Sequence, residues 1–415
     1  MNHNVPDRIP LDLGATNVTG INASTLYKLR QALNLPQKQI VIYHLFQMLG
    51  TVDEDLRRLL GIDVIGLFNP SDMKKGINSI AQPFVMSDNT PVLIPDDVAY
   101  EKKSDGSVVI YPQGDRHARP SWQMPSGGSF FDVIYRAPSF DEDNLTPVED
   151  YQGTFFEITE NAARYYEIQS KKLHDSCDCA VAGVLAGGSL GDIIQIGGPN
   201  EKTPRGIRTP NDWIMAHVLY PDYIKTVFRM QTDTMLKNLK MYKEAVGDRI
   251  QLICLSGTDF GTQNGPFISV ELFRELYKPF YKEMNDWIHR NTGWKCFYHS
   301  CGSIVDFLDD FVEMGVDIIN PVQLSAKGMD AGKLKEKYGK KLVFWGGGID
   351  TQQTLPFGTP DEVKEQVKQR LAILGKGGGY CFTTTHNILA KVPVENILAM
   401  YRSYSEFTGR DLYFS

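Results

Sequence analysis

The second half of the chain alternates buried-strand patterns with helical patterns, and this alternation restricts the fold more than any other feature. The run Ile250–Phe260 is apolar almost throughout and ends in turn residues, as a strand buried on both faces should. Further strand patterns follow in "WKCFYHS", "GVDIINPVQ", "KLVFWGGGID" and "GGYCFTTTHN", each separated from the next by a helical segment. One of these helices begins with a capping box at Thr359, Pro360 and Glu362. Strands joined in this way predict a parallel sheet covered by helices.

Upstream of residue 249 the sequence offers further strands that would complete a closed sheet. The candidates are Arg8–Gly14, Asp63–Phe68 and Cys179–Gly187. With the five downstream strands they predict an α/β fold, a (β/α)8 TIM barrel that forms a single unit over residues 1–415. The first strand is the weakest, because Pro10 has no N–H to donate to a neighbouring strand.

An open, doubly wound sheet is the alternative architecture. It would be favoured by a G-x-G-x-x-G turn after a strand. The segment "AGGSLGD" (Ala186–Asp192) has the glycines without that spacing, so the barrel remains the preferred interpretation.

The region from about Phe84 to Gln152 interrupts the alternation and predicts an antiparallel β insertion, which follows an N-terminal extension. The segment "VAYEKKSDGSVVIYP" has the pattern of a hairpin that turns at Asp105-Gly106. In a barrel, an insertion between a strand and its helix lies on the active-site side. We expect either a lid or partner-docking surface at residues 84–152, or a surface insertion without a role.

Composition excludes several classes of function. The 415 residues include 43 Lys and Arg against 50 Asp and Glu, a net charge of −7, which gives no general reason to bind nucleic acid or an anionic membrane. The first residues lack the pattern of a signal peptide, and no apolar run approaches the roughly 18 residues that span a bilayer. We therefore expect a cytoplasmic protein, whose six cysteines are buried thiols or metal ligands.

The stretch "FYHSCGS" places two soft metal ligands, His299 and Cys301, at the end of a predicted strand. Side chains two apart on a strand face the same side, so both can point into the mouth of a barrel. A catalytic zinc needs a third protein ligand. The last strand offers His386 at its C-terminal end, which we prefer, and Cys381 in its middle. The alternative interpretation of the pair is a packed cysteine beside a hydrogen-bonded histidine.

Other polar residues follow predicted strands and are candidates for binding substrate or orienting ligand histidines. They are Asn17, Asp259, Gln263, Asn320, Gln323 and Asp350. Each is alternatively a turn or cap residue. Asp259 is the one favoured as functional, because glycines flank its loop on both sides. The pair in "CDC" (Cys177–Cys179) is another possible soft site, but it lies at the start of a strand and is interpreted as structural.

Taken together, the segments "DRIPLDLG", "YHSCGSI", "GVDIINPVQ", "FWGGGIDTQ", "LPFGTPDEV" and "GGGYCFTTTHNI…VPVENILAMY" resemble the uroporphyrinogen decarboxylase superfamily. More closely, they resemble its branch of zinc-dependent, corrinoid-linked methyltransferases. The resemblance covers nearly the whole chain and implies a (β/α)8 barrel. True decarboxylases of this superfamily carry an arginine-rich motif after the first strand, where this chain reads "LGATNVTG". Porphyrinogen decarboxylation is therefore not expected.

The methyltransferases carry H-x-C and a distant cysteine as zinc ligands. The resemblance assigns the first two to His299 and Cys301, and the distant position falls on His386, with Cys381 as a nearby substitute. It implies that zinc acts as a Lewis acid while a methyl group moves between a small substrate, such as a methoxylated aromatic compound, and a corrinoid. The corrinoid would be supplied by a partner protein, because "DRHARP" has Pro120 in place of the glycine of a cobalt-ligand motif.

Two other classes of function remain open. One is a metal-free decarboxylase or lyase that acts on a smaller acid, with Asp259 and His386 as acid and base. The other is a non-catalytic binding protein built on the same barrel. The metal content of the purified protein distinguishes the methyltransferase from both alternatives. For the oligomeric state, a homodimer is one possibility.

Overall fold

The computed structural model describes residues 1, 3–69 and 81–412. Strands in chain order are β1 Ile40–His44, β2 Leu49–Gly50, β3 Val64–Leu67, β4 Ala81–Val85, β5 Pro91–Pro95, β6 Tyr100–Lys102, β7 Val108–Ile110, β8 Trp122–Met124, β9 Asp132–Val133, β10 Ala180–Val184, β11 Leu252–Ser256, β12 Lys295–His299, β13 Ile318–Asn320, β14 Val343–Trp345 and β15 Tyr380–Cys381.

Helices in chain order are α1 Ala23–Ala32, α2 Glu54–Leu60, α3 Pro147–Asp150, α4 Glu160–Ser176, α5 Ile193–Ile196, α6 Pro210–Leu219, α7 Pro221–Val246, α8 Val270–Leu272, α9 Lys278–Asn291, α10 Leu308–Glu313, α11 Ala331–Tyr338, α12 Thr354–Phe357, α13 Pro360–Leu374 and α14 Val394–Thr408. A π-helical turn, Phe273–Tyr277, connects α8 to α9. The predicted capping box at Thr359 is present at the start of α13.

Seven parallel strands form one curled sheet in the order β15-β14-β13-β12-β11-β10-β3. The segment around Leu11 occupies the place between its two ends. On one side Asp12 N–H donates to Phe382 O at 2.9 Å and Phe382 N–H donates to Pro10 O at 2.8 Å. On the other side Asp63 N–H donates to Leu11 O at 2.9 Å. The predicted (β/α)8 fold class is confirmed, and Pro10 takes part only through its carbonyl, as its missing N–H requires.

The barrel interior is filled by side chains from successive strands. They are Ala15, Val64, Ala182, Leu252, Phe297, Ile318, Val343, Trp345 and Cys381. A second, larger cluster fills the space between the outer face of the sheet and the helices. The interior is therefore packed, and space for a ligand lies at the mouth formed by the C-terminal ends of the strands.

The N-terminal half contains β structure that the sequence patterns did not indicate. Strands β1 and β2 precede β3 and join β4 and β5 in a sheet of order β2-β1-β5-β4. Strands β6 to β9 form a separate antiparallel sheet, and the hairpin at Asp105-Gly106 is the turn between its first two strands. The rings of Phe46 and Trp122 stack at 3.6 Å between centroids and connect the two sheets. Strands β5 to β9 lie within the predicted insertion, residues 84–152, and β5 pairs with β1 from outside it.

The predicted strands at the C-terminal end of the chain were too long. The last one was drawn through "GGYCFTTTHN", but pairing covers only Tyr380–Cys381 and the single bridge between Phe382 and Leu11. His386 therefore lies in a loop beyond the strand, and α14 does not begin until Val394. None of the helices in the described part of the chain combines the length and the apolar composition that a bilayer crossing requires.

Candidate metal centre

Three side chains with nitrogen and sulfur donors converge at the mouth of the barrel. His299 ends β12, Cys301 follows it by two residues, and His386 comes from the loop after β15. Their potential ligand atoms all lie within 4.8 Å of one another. Cys301 Sγ is 3.2 Å from His299 Nε2, and the rings of His299 and His386 are 5.3 Å apart between centroids. The structure thus brings together the three residues selected from the sequence.

The orientation of His299 is set by Asn320, the last residue of the neighbouring strand β13. The amide Nδ2 of Asn320 donates to Trp345 O at 3.0 Å, so its Oδ1 must be the atom that lies 2.6 Å from His299 Nδ1. An amide oxygen can only accept, and His299 Nδ1 therefore carries the proton. The lone pair of His299 Nε2 is left facing Cys301, which is the arrangement that a metal-binding histidine needs.

The loop that carries Cys301 is fixed by hydrogen bonds from three consecutive N–H groups. Cys301 N–H donates to Asp259 Oδ1 at 2.7 Å, Gly302 N–H to Gln323 Oε1 at 2.8 Å, and Ser303 N–H to Thr262 O at 2.7 Å. Asp259 and Gln323 were predicted to bind substrate or support ligands. Their observed contacts place them in support of the Cys301 loop.

Gly302 is required at its position in this loop. Its φ is +85°, and a Cβ there would lie 2.3 Å from Gly261 O. A side chain at residue 302 would combine backbone strain with a backbone collision. The sequence Cys-Gly-Ser therefore lets the chain turn sharply while Cys301 stays beside His299.

The loop that carries His386 is fixed through its neighbour Asn387. Asn387 Oδ1 accepts from Gly20 N–H at 2.5 Å, and its Nδ2 donates to Asn17 O at 2.9 Å and to Gln47 Oε1 at 2.5 Å. Asn17, predicted as a substrate-binding residue, contributes its carbonyl to this support. Burial, with the neighbouring His299, lowers the pKa of His386 to about 3, so its imidazole is neutral at physiological pH.

Cys381, the alternative third ligand, faces the packed interior of the barrel among Phe297 and Trp345. Among the described residues, the cluster at the mouth consists of His299, Cys301 and His386 and does not include Cys381. The geometry therefore favours His386.

Two of the predicted substrate-binding residues have other roles in the structure. Asp350 Oδ1 accepts from Gln352 N–H at 2.7 Å, and this turn-forming contact matches the alternative interpretation of Asp350. Gln263 is exposed and donates from its amide to Gln352 Oε1 at 3.1 Å. Neither contact involves the three converging donors.

Asp192 is a polar residue of the mouth that the sequence analysis did not select. It caps the short helix α5 by accepting from Ile194 N–H and Gln195 N–H at 3.0 and 3.1 Å. Burial, together with the charge of Asp259, raises the pKa of Asp192 to about 6. Its segment had been considered only as a failed dinucleotide-binding motif. Its position in the glycine-rich segment that follows a predicted barrel strand was the signal that could have identified it.

The donor set fits a zinc ion. Two imidazoles and one thiol form a three-ligand set typical of catalytic zinc, which leaves a position open for substrate. The hydrogen bond from His299 Nδ1 to Asn320 supplies the outer support that such histidines usually have. Burial, with the nearby Asp259, raises the pKa of the Cys301 thiol well above its usual value, so the thiol is protonated when no metal is bound. Binding of a metal would displace this proton.

The fold and this site define a (β/α)8 barrel with a candidate His/Cys/His metal centre at its mouth. Residues 204–407 match the family model described as uroporphyrinogen decarboxylase (URO-D). Over these residues the match confirms the resemblance to the uroporphyrinogen decarboxylase superfamily that the motifs indicated. A search of the curated proteins finds no match.

Comparison with solved structures extends the similarity over the whole chain. A methyltransferase from Methanosarcina mazei aligns over 97% of this chain and 95% of its own, with a TM-score of 0.55 and 15% sequence identity. At this identity the comparison establishes the shared fold. A GH113 β-1,4-mannanase aligns over 96% of this chain and 98% of its own, but its TM-score of 0.28 and identity of 8% support no argument.

Proposed function

We propose that this chain is a zinc-dependent methyltransferase that moves a methyl group between a small substrate and the corrinoid of a partner protein. The observation that carries the proposal is the convergence of His299, Cys301 and His386 at the barrel mouth. The similarity in fold to a methyltransferase over 97% of the chain supports the same reaction class.

In this proposal each residue of the site has a defined task. His299 Nε2, Cys301 Sγ and His386 hold the metal, and Asn320 keeps the proton of His299 on Nδ1. When bound, zinc supplies Lewis acidity to the oxygen or sulfur atom of the substrate that gives or takes the methyl group. A methoxylated aromatic compound is the substrate class we favour, because a single thiolate among the ligands leaves the ion more electrophilic than two would.

Asp259 is the proposed proton acceptor of the site. Its Oδ1 lies 2.7 Å from Cys301 N and 3.8 Å from His299 Nε2, and its side chain remains 45% exposed at the mouth. This carboxylate can take the proton that the Cys301 thiol loses on metal binding, or the proton of a substrate hydroxyl or thiol. It would therefore act at the metal ligands and at the substrate from one position.

The rim of the mouth offers a surface for the partner that carries the corrinoid. Large apolar side chains are exposed on the segments that follow three barrel strands, namely Ile193 and Ile194 of α5, Phe267 and Leu389. Because the C-terminal ends of parallel strands meet at one end of a barrel, these residues share the rim that surrounds the metal centre. A corrinoid protein seated there would bring its cofactor towards the substrate.

Metal content tests the proposal. We expect about one zinc per chain in the purified protein, in line with a single catalytic site. The zinc should be lost in Cys301→Ser and His386→Ala, and retained in Cys381→Ser, the matched control. Methyl transfer from a methoxylated aromatic compound to free cob(I)alamin, followed by absorbance, should show the same dependence.

Absence of zinc would favour the alternative function, a metal-free decarboxylase or lyase. A folded wild-type protein that binds no zinc, even when zinc is added, would remove the basis for the methyltransferase. Loss of zinc in Cys381→Ser but not in His386→Ala would instead correct the third ligand. Circular dichroism of each variant shows whether the fold is intact.

A further inference from the structure

A cavity of about 1270 Å³ opens at the end of the barrel opposite the metal centre, where strands β3 and β10 begin. Both cysteines of the "CDC" segment, Cys177 and Cys179, line it. Arg57 and Arg58 of α2 line the same cavity. The two cysteines therefore sit at a site that a small molecule can enter, although the sequence analysis assigned them a structural role.

The two thiols are adjacent and are not equivalent. They lie within hydrogen-bonding reach of each other, and Cys179 Sγ is 3.0 Å from Arg57 Nη1. Burial raises the pKa of Cys177, but hydrogen bonds from Cys179 and Ser176 and the charge of Arg57 outweigh it, and the resulting pKa is below that of an ordinary thiol. Burial, with the neighbouring Cys177, raises the pKa of Cys179 to about 12. Cys177 is thus the more reactive thiol and Cys179 the less reactive one.

The backbone permits a bond between them. Asp178, the residue between them, forms a bend, so the chain there is not extended and the two side chains approach each other. A disulfide needs Cβ atoms about 3.5 to 4.5 Å apart, which a bent three-residue segment can provide. The bond would close within residues 177–179, which lie between α4 and β10.

From this geometry we propose that Cys177 and Cys179 form a reversible dithiol–disulfide site that reacts with small disulfides entering the cavity. In the first step the Cys177 thiolate attacks one sulfur of the small disulfide, forms a mixed disulfide and releases one small thiolate. In the second step the Cys179 thiolate attacks Cys177 Sγ, closes the protein disulfide and releases the second small thiolate. The two protons of the cysteines pass to solvent, the protein thiols are oxidised and the small disulfide is reduced.

The other four cysteines are expected to react slowly with small disulfides, so the reaction should be specific for Cys177 and Cys179. Burial raises the pKa of Cys254, Cys296 and Cys381 well above the usual thiol value, and it has the same effect on Cys301 at the candidate metal centre. Thiols in this state react slowly because the thiolate is the nucleophile.

Oxidised glutathione is the probe for the test, applied to the folded full-length protein. Trypsin should release Leu173–Lys202, a peptide whose only cysteines are Cys177 and Cys179. We expect this peptide to lose the mass of two hydrogens after oxidation and to regain it with reduced glutathione. Cys179→Ser should stop at the mixed disulfide, and Cys177→Ser should react far more slowly. Absence of the intrapeptide disulfide in the folded wild type would overturn the proposal.

Arg57→Gln and Arg58→Gln form a matched pair of variants on the same helix. Loss of the Arg57 charge removes one of the causes that lower the pKa of Cys177, so a smaller fraction of the thiol is ionised. The more basic thiolate is a better nucleophile and offsets part of this loss, so Arg57→Gln should react measurably more slowly than wild type. Arg58 pairs with Glu54, and its variant should react at the wild-type rate. Equal slowing in both variants would contradict the specific role of Arg57.

Discussion

Replacing Asn320 by alanine should weaken zinc binding without touching any of the three ligands. Asn320 is fully buried, and its amide joins His299 Nδ1 to Trp345 O. The variant leaves the Nδ1–H of His299 without its acceptor and frees the ring to rotate or to change tautomer. Loss of such a supporting residue lowers metal affinity by about 10- to 100-fold. This range corresponds to about 1.4 to 2.8 kcal/mol of binding free energy, at 1.4 kcal/mol per factor of ten.

Asn285→Ala is the matched control for this prediction. Asn285 is equally buried, and its amide likewise joins a side chain to a carbonyl, accepting from Tyr298 OH at 2.9 Å and donating to Met314 O at 2.9 Å. Both variants should lose unfolding free energy, about 1 to 3 kcal/mol for each buried group left without a partner. Only Asn320→Ala should change the zinc dissociation constant, measured by competition with a chromophoric chelator. Equal zinc affinity in the two variants would refute the assigned role of Asn320.

Two predictions concern stability. Gly302→Ala should lower the unfolding free energy by about 1 to 3 kcal/mol or more in urea titrations, because of its positive φ and the short distance to Gly261 O. Gly265→Ala, where a Cβ meets no atom within 4 Å, should change it by less than about 0.5 kcal/mol, and equal losses would contradict the argument. Burial raises the pKa of Asp12 from 3.8 to about 6, so the folded protein retains a proton that the unfolded chain releases, and stability falls by about 2 kcal/mol from pH 4 to 6. The excess stability of wild type over Asp12→Asn should therefore decrease across this range, and a constant or rising difference would contradict this.

The sequence predicted the barrel because strands buried on both faces give continuous apolar runs, and helices buried on one face give apolar residues with a helical period. It did not predict β1 and β2. Both strands are short and β1 is only partly buried, so their hydrophobic pattern is weak. The strand drawn through His386 was too long for a related reason. Beyond Cys381 the chain stays buried in loops, and the apolar pattern alone cannot distinguish a buried loop from a strand.

The site was predictable to the extent that it depends on strand ends. His299, Cys301 and His386 were found because the mouth of a barrel collects the C-terminal ends of its strands. The roles of the supporting residues were not predictable, because they depend on which polar atoms meet. Asn320 and Gln323 were expected either to bind substrate or to orient ligand histidines, and they contact His299 and the loop of Cys301. Only the three-dimensional structure shows these partners.

The choice of histidine at position 386 leads to a last prediction, which rests on the proposed function. A divalent zinc ion held by one thiolate and two neutral imidazoles keeps one positive charge, and a second thiolate would cancel it. At about 4 Å, a unit charge attracts a phenolate by about 4 kcal/mol at the effective dielectric constant of a protein surface. His386→Cys should therefore retain zinc but bind a phenolate product at least about 10-fold more weakly, a loss of about 1.4 kcal/mol.

Calorimetry with zinc-loaded protein measures this effect without relying on turnover. The matched ligand is the same aromatic compound without its hydroxyl group, whose affinity should be equal in wild type and variant because it carries no charge. A phenolate that binds His386→Cys as tightly as wild type would show that the charge of the donor set does not select the substrate. If the variant loses affinity only for the phenolate, His386 favours substrates whose methyl group is bound to oxygen. The reason is that the remaining positive charge stabilises the phenolate oxygen that leaves.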